Sequence, residues 1–498
     1  MPASKASPVG RVPRARFPVP VLPVRVAALA VVLTASLTAS LTACRPVRPP
    51  AVPAAALPAV ALPPLPAACA PAAGADAGTS SLAALPVEQP LVTFDSAGGI
   101  IARTHWDTTY NGVNWTAVRD ELRPRAAAAT TTGALRAVLS DMVSRLRQSH
   151  FSIIPREVAD ASGARTGAGG AAPDRSGTIG AEVRYLDGTI VVSQLDRGGP
   201  ADRAGVHAGW MVQSVNGCPL SARLARMPRD PDPRRVALNA YALATQALAG
   251  AVGDSATVVF RDGQGADRAV TLRRAPALGT VAKFGNLPAM TAQLSYDRVR
   301  AADKTVGVIR FNIWMPVLSP QFDAAIDALR DADAIVLDIR GNFGGVGGMS
   351  MGIAGHFLDS TRTIGTMVQR GATLKFVANP RRVDTRAQPT TPFAGRLALV
   401  VDELSISTTE IFAGGLQAMG RAQLFGVQTA GQALPSVPER LPNGDILYHA
   451  IADFLSPTGK PLEGDGVRPE HVVPLTRAAL LAGQDPALDA AIAWAVKR

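Results

Sequence analysis

Apolar residues at Leu135, Val138, Leu139, Met142, Val143 and Leu146 recur at i, i+3, i+4 and i+7, so they share one face of a helix. It is the second of two helices readable between Thr116 and Gln148, and its pattern stops at "RQSHFSIIP". From residue 188 the period becomes that of strands, in "GTIVVSQL", "MVQSVNG", "ATVVFRD" and "RAVTLRR", with a helical "RRVALNAYALATQALAG" between the second and third. Beyond about 280 the runs "VGVIRF" (306–311), "AIVLDI" (334–339), "RLALVV" (396–401) and "AQLFGV" alternate with helical segments, which predicts an α/β core. Ser319 with Pro320 behind it predicts a capped helix start. Another helix is expected from about Thr408, with Thr408 and Thr409 able to cap it, and "DPALDAAIAWAVKR" predicts a last one over 485–498.

The formal charge of +11 suggests a nucleic-acid binder until its distribution is read. Lys5, Arg11, Arg14, Arg16 and Arg25 all precede the first apolar run, and without them +6 remains. No Lys/Arg block with interleaved aromatics and no zinc-finger spacing follows, so nucleic-acid binding is excluded. The apolar "VAALAVVLTASLTASLTAC" (26–44) after those basic residues reads as an export signal. Its end, Leu41-Thr42-Ala43-Cys44, resembles the lipobox of bacterial lipoproteins. That resemblance implies a signal peptide over 1–44, lipidation of Cys44, and a body anchored to a membrane on the periplasmic or cell-envelope face. Residues 45–85 are Pro/Ala-rich and suit an extended tether. Cys69 lies in that tract, and a disulfide to Cys218 is possible but not expected. No Cys/His cluster has metal spacing, so no metal or cofactor is expected.

Two segments carry candidate chemistry. "DIRGNFGGVGG" (338–348) lies where a buried strand passes into a helix, and its glycines allow backbone N–H groups to face an anion. It is neither a Walker loop nor a GxGxxG fingerprint. "VDELSISTTEIFAGG" (401–415) places four hydroxyls at a second strand-to-helix junction.

The strand "IxRFxxW", then "DADAIVLDIRGNFGG", then "LALVVDELSISTTEIFAGGLQAMGRAQLFGVQTAG", in that order, resemble the core of the carboxyl-terminal-processing (tail-specific) serine peptidases over roughly residues 90–475. The resemblance implies a spiral core of the Clp-peptidase and crotonase type at 280–475, with an N-terminal helical part at 86–160. "GGPADRAGVHAGWMVQSVNGCPL" resembles a PDZ domain, placed at 175–275. Its carboxylate-binding loop would be "GTIGAEV", with Gly177, Ile179 and Gly180 contacting a peptide C-terminus. Glu410 sets the register of the family's Ser-x-Ser-x-x-Glu, which makes Ser407 the implied nucleophile and Ser405 structural. Thr408 and Gly344 or Gly345 would supply the oxyanion N–H groups.

The lysine base of many members is replaced by Gln432, so a Ser-Lys dyad is ruled out. A subgroup that includes the tricorn core peptidase uses an adjacent Ser-His pair and a distant glutamate. "QSHF" supplies Ser149 and His150, and "KPLEGDGVRPE" supplies Glu463, with Asp465 as the alternative. His105 and His356 sit in apolar contexts that suit packing. The expectation is therefore an α/β, α+β multidomain serine peptidase acting on polypeptides. A catalytically decayed binding lipoprotein on the same fold is the alternative, and crotonase-type acyl transfer is a more distant one.

Overall fold

The computed structural model describes residues 65–69, 89–161 and 177–497. The export signal with Cys44, most of the Pro/Ala tract and the break at 162–176 lie outside the described residues. Among the described residues no helix is long and apolar enough to cross a membrane.

Three helices open the body: α1 (Pro90–Thr104), α2 (Trp115–Ala127) and α3 (Thr132–Ser144). The side chains of Asn114 and Thr131 cap α2 and α3 by accepting the N–H groups of Ala117 and Ala134. The face of α3 foreseen from periodicity is buried against Phe94, Ile101 and Leu122. Helix α1 escapes the periodicity argument because Gly98 and Gly99 interrupt it. Gly98 has a packing reason: its carbonyl accepts the Trp115 indole N–H, and a Cβ there would meet Arg119 at 2.7 Å. After α3 a short loop leads to strand β1 (Ser152–Ile154).

Residues 177–276 form a separate sheet of β2 (Ala181–Leu186), β3 (Thr189–Leu195), β4 (Met211–Val215), β5 (Ser255–Arg261) and β6 (Asp267–Arg273), paired antiparallel in chain order. Helix α4 (Pro233–Leu248) lies beside β2, whose outer edge belongs to no strand of this sheet. Cys69 and Cys218 are joined by a disulfide, contrary to expectation. Composition made the tract around Cys69 look like an unattached tether, but the short turn Ala67–Cys69 packs on this unit and its cysteine is buried.

The core sheet is built from β7 (Leu294–Ala301), β8 (Lys304–Phe311), β9 (Ala334–Asp338), β12 (Arg396–Val401), β13 (Gln423–Gly426) and β17 (His471–Val472), in the spatial order β7-β8-β9-β12-β13-β17. All pairs are parallel except β7 with β8. Successive residues alternate faces, and both faces are covered, so the strands read as unbroken apolar runs. Val306, Val336 and Val400 meet the C-terminal helix α8 (Pro486–Val496) through Ala487, Ala491 and Ala495. Ile309, Leu337 and Leu399 meet α5 (Ser319–Ala328), α6 (Gly347–Ala354) and α7 (Thr408–Ala418). Ser319 is not the cap of α5: a 3₁₀ turn, Pro316–Leu318, runs straight into the helix and gives Ser319 helical angles of −57° and −47°.

Two further sheets have three strands each. One joins β10 (Arg362–Gln369), β11 (Ala372–Ala378) and β16 (Asp453–Leu455). The other joins β1 to β15 (Ile446–Ala450) and β14 (Ser436–Arg440), with Ser152 opposite Tyr448. That pairing carries the loop after α3 onto the core, and Leu447 of β15 shares the apolar cluster of the three helices. Leu139 is fully buried in this cluster, so Leu139→Ala is expected to cost roughly 2–5 kcal/mol of stability, read from urea unfolding.

Candidate active site

Parallel strands β9 and β12 end side by side, and the turns leaving them meet. In the turn after β9, Asn342 lies buried. Its carbonyl accepts from Ile406 N–H (3.0 Å) and the Thr409 hydroxyl (2.9 Å), while its side-chain amide donates to Phe311 C=O (3.0 Å). Its Oδ1 accepts from Gly344 N–H at 3.0 Å. The Thr408 hydroxyl donates to Gly345 C=O (2.9 Å), and Trp314 Nε1 donates to Thr409 Oγ1 (2.8 Å). The two threonines thus bind the glycine turn instead of capping α7. The glycines are required: Gly344 has φ +88° and a Cβ there would meet Ser407 Cβ at 2.7 Å, and Gly345 has φ +137° with Trp314 O in the way at 2.4 Å.

Ser407 occupies the junction of this loop with α7 at φ 60°, ψ −119°, a conformation costly for a residue with a Cβ. Its N–H bonds Gln432 C=O (2.9 Å) and Glu410 Oε2 (3.1 Å). Glu410 is fully buried and also accepts from the Thr429 hydroxyl and the N–H groups of Gly431 and Gln432, at 2.6, 2.7 and 2.9 Å. Burial pushes its carboxyl up to about 7 against those donors. Ser405 is buried and donates to Ile339 C=O (2.9 Å). Gly345 and Thr408 line the cavity beside Ser407, and neither N–H has a partner among the described residues. Gly344's N–H is taken by Asn342, so of the two glycines only Gly345 retains a donor for an oxyanion.

In a second cluster, Glu463 Oε1 accepts Ser149 N–H at 2.9 Å, and its Oε2 accepts the Ser149 hydroxyl at 2.8 Å and Ala433 N–H at 3.0 Å. A carboxylate only accepts, so the Ser149 proton goes to Glu463. The 2.7 Å contact between Ser149 Oγ and His150 Nδ1 is then an Nδ1–H donation, which leaves Nε2 bare. Burial lowers the imidazole to about 4 and raises the Glu463 carboxyl. His150 itself has φ 61°. Among the described residues no hydrogen bond joins Ser407 to His150; Tyr448, whose ring lies 5.8 Å from His150, lines the cavity that Ser407 lines. Asp465 is exposed and takes no part in this cluster.

His105 packs against Trp106 and Phe151 and is hydrogen bonded to Gln148 Oε1, next to Ser149; His356 pairs with Asp323. Gly177 N–H bonds Gly250 C=O (2.9 Å), Gly180 N–H bonds Thr178 Oγ1 (3.0 Å), and Ile179 is buried in the core of the 177–276 unit. The carboxylate-capturing donors expected at Gly177 and Gly180 are therefore occupied. Among the described residues no three His, Cys, Asp or Glu side chains group as metal ligands.

A bare imidazole, a serine at a strained strand-to-helix junction and two free N–H groups are the equipment of a serine peptidase. Residues 305–473 match the model of Peptidase family S41, and residues 86–144 that of the Tricorn protease C1 domain. The chain is 26% identical over 388 residues to carboxyl-terminal-processing peptidase 3, chloroplastic, of Arabidopsis thaliana, covering 76% of this chain and 68% of that one. It is 26% identical over 385 residues to a carboxyl-terminal-processing protease of Picosynechococcus sp., covering 75% and 81%. Its fold is similar to that of the photosystem II D1 C-terminal processing protease, with a TM-score of 0.53 and 19% identity over 80% of this chain and 99% of that one. The chain therefore carries an S41 peptidase domain and a Tricorn C1 domain, its relatives are carboxyl-terminal-processing proteases, and it is a serine peptidase.

Gly345→Ala puts a methyl group against Trp314 O and moves a free N–H. It is expected to lower kcat roughly 10²–10³-fold, the cost of one oxyanion donor, in steady-state cleavage of an unstructured polypeptide.

Proposed function

We propose that this peptidase works through Ser407 as nucleophile, with His150 as base and Ser149 and Glu463 orienting the imidazole. The carrying observation is the chain of hydrogen bonds from Glu463 through Ser149 to Nδ1, which leaves Nε2 as the acceptor. In this reading Nε2 takes the Ser407 proton as Oγ bonds the scissile carbonyl carbon, and returns it to the leaving amine as that bond breaks. The developing oxyanion is held by Gly345 and Thr408 N–H. Water, activated by the same imidazole, then releases the acyl product.

The substrates are polypeptides. In the proposed mode their C-terminal segment adds as a strand to the outer edge of β2, in the cavity of about 410 Å³ that Glu182, Tyr241 and Leu248 border, as in a PDZ domain. With the Gly177 and Gly180 donors occupied, strand pairing supplies the affinity that those two donors do not. We further propose that the enzyme is exported and held by a lipid on Cys44 at the periplasmic or cell-envelope face of a membrane. The Cys69–Cys218 disulfide supports an oxidising compartment.

A fluorophosphonate probe is expected to label the wild type stoichiometrically and Ser407→Ala not at all; a folded wild type that does not label is the decayed binding protein instead. His150→Ala is expected to lose roughly 10²–10⁴-fold in kcat/KM. The pH profile separates the two acid groups. Activity needs Glu463 ionised and His150 neutral, and burial raises the former while lowering the latter to about 4. As pH falls Glu463 therefore gains its proton first and sets the acid limb of kcat/KM. In Glu463→Gln the plateau is expected to drop and the limb to move to lower pH; an unmoved limb contradicts the assignment.

A further inference from the structure

Beside Ser407 lies a cavity of about 260 Å³. Ser407, Thr408 and Gly345 form part of its lining, and the rest includes Met290, Met315, Met367, Phe376, Ile411 and Phe284. No Asp, Glu, Lys, Arg or His side chain lines it among the described residues. Phe376 depends on Gly347 for its place, since a Cβ at that glycine would meet the ring edge at 3.2 Å. The hairpin Thr280–Ala282 with Met290–Ala292 carries Phe284, which is 46% exposed, and Asn286 pins the connecting loop to Pro438 C=O at 3.3 Å.

We infer that this cavity receives the side chain on the acyl side of the scissile bond, and that the enzyme cleaves after large apolar residues: leucine, methionine and phenylalanine. The inference rests on the peptidase reading above. In the tetrahedral intermediate the carbonyl carbon is bonded to Ser407 Oγ and its oxygen faces Gly345 and Thr408. The acyl residue's Cα is then one bond from that centre, and the cavity is bounded by the same three residues. The leaving amine must face His150, which does not line the cavity. A dry apolar cavity of about 150 Å³ already accepts a benzene ring, so the space suffices for phenylalanine. Carboxylates and ammonium groups find no partner there and are rejected by desolvation. Three unbranched methionine side chains re-pack around different shapes, which makes the preference broad within the apolar class.

Internally quenched peptides that differ only in the residue before the cut test this, with products mapped by mass spectrometry. Wild type is expected to favour Leu, Met and Phe over Ala by roughly tenfold or more in kcat/KM, within the 10–200-fold that a methylene is worth in an apolar pocket, and to leave Asp and Lys uncut. Met367→Trp fills the cavity and is expected to lose Phe by at least roughly tenfold relative to Ala, with fluorophosphonate labelling of Ser407 intact. Ser407-dependent cleavage with no preference at that position, or with a preference only for the residue after the cut, overturns the inference and leaves the peptidase reading standing. Absence of both labelling and cleavage removes the peptidase reading and this inference with it. The wild-type peptides decide the matter even where Met367→Trp fails to label.

Discussion

Glu463 divides its two carboxylate oxygens between remote parts of the chain: the backbone and hydroxyl of Ser149 on one side, the backbone of Ala433 on the other. Through those three bonds the loop that follows the helical part, the strap after Gln432 and the segment after Leu462 are fixed to one another. The orientation of His150 follows from it, because a serine that has given its proton to a carboxylate can only accept from the ring. Burial of the carboxyl makes the arrangement costly to leave unpaired and sensitive to protonation. One interaction thus sets which ring nitrogen carries the proton.

Glu410 does the matching task on the Ser407 side. It fastens Ser407 N–H to the Thr429–Gln432 strap, and Ala433 of that same strap reaches Glu463. The strap therefore connects the two halves of the site, and Gln432 takes part in it through its backbone. Asn342 adds the third fixed point by locking the glycine turn to the loop of Ser407. With the turn held, the two free N–H groups would, in the proposed mechanism, need no reorganisation when charge develops.

The parallel core was legible because its central strands are buried on both faces and read as unbroken apolar runs, as at Ala334–Asp338. The helical face of Leu135 to Leu146 was legible for the same reason of burial. Helix α1 was not, since two adjacent glycines hide a helix whose stability comes from packing on Trp115 and Arg119. Ser407 and the Ser149-His150 pair were reachable through motif spacing and resemblance. Asn342 was not singled out, although an asparagine inside a glycine turn is a signal, because its role lies in contacts to Ile406 and Thr409 some 65 residues away. The choice of Gly345 over Gly344 needed the hydrogen bond that occupies Gly344. The disulfide required knowing that the turn Ala67–Cys69 packs onto the 177–276 unit, which composition does not encode.

In the proposed arrangement Glu463, acting through Ser149, holds His150 as a neutral imidazole with the proton on Nδ1. Nitrogen NMR of ¹⁵N-histidine-labelled protein at pH 7 reads that proton directly, with His150→Ala assigning the signals. A protonated Nδ1 and a bare Nε2 are expected in the wild type, and loss of that tautomer's dominance in Ser149→Ala. A wild-type His150 protonated on Nε2, or on both nitrogens, would contradict it.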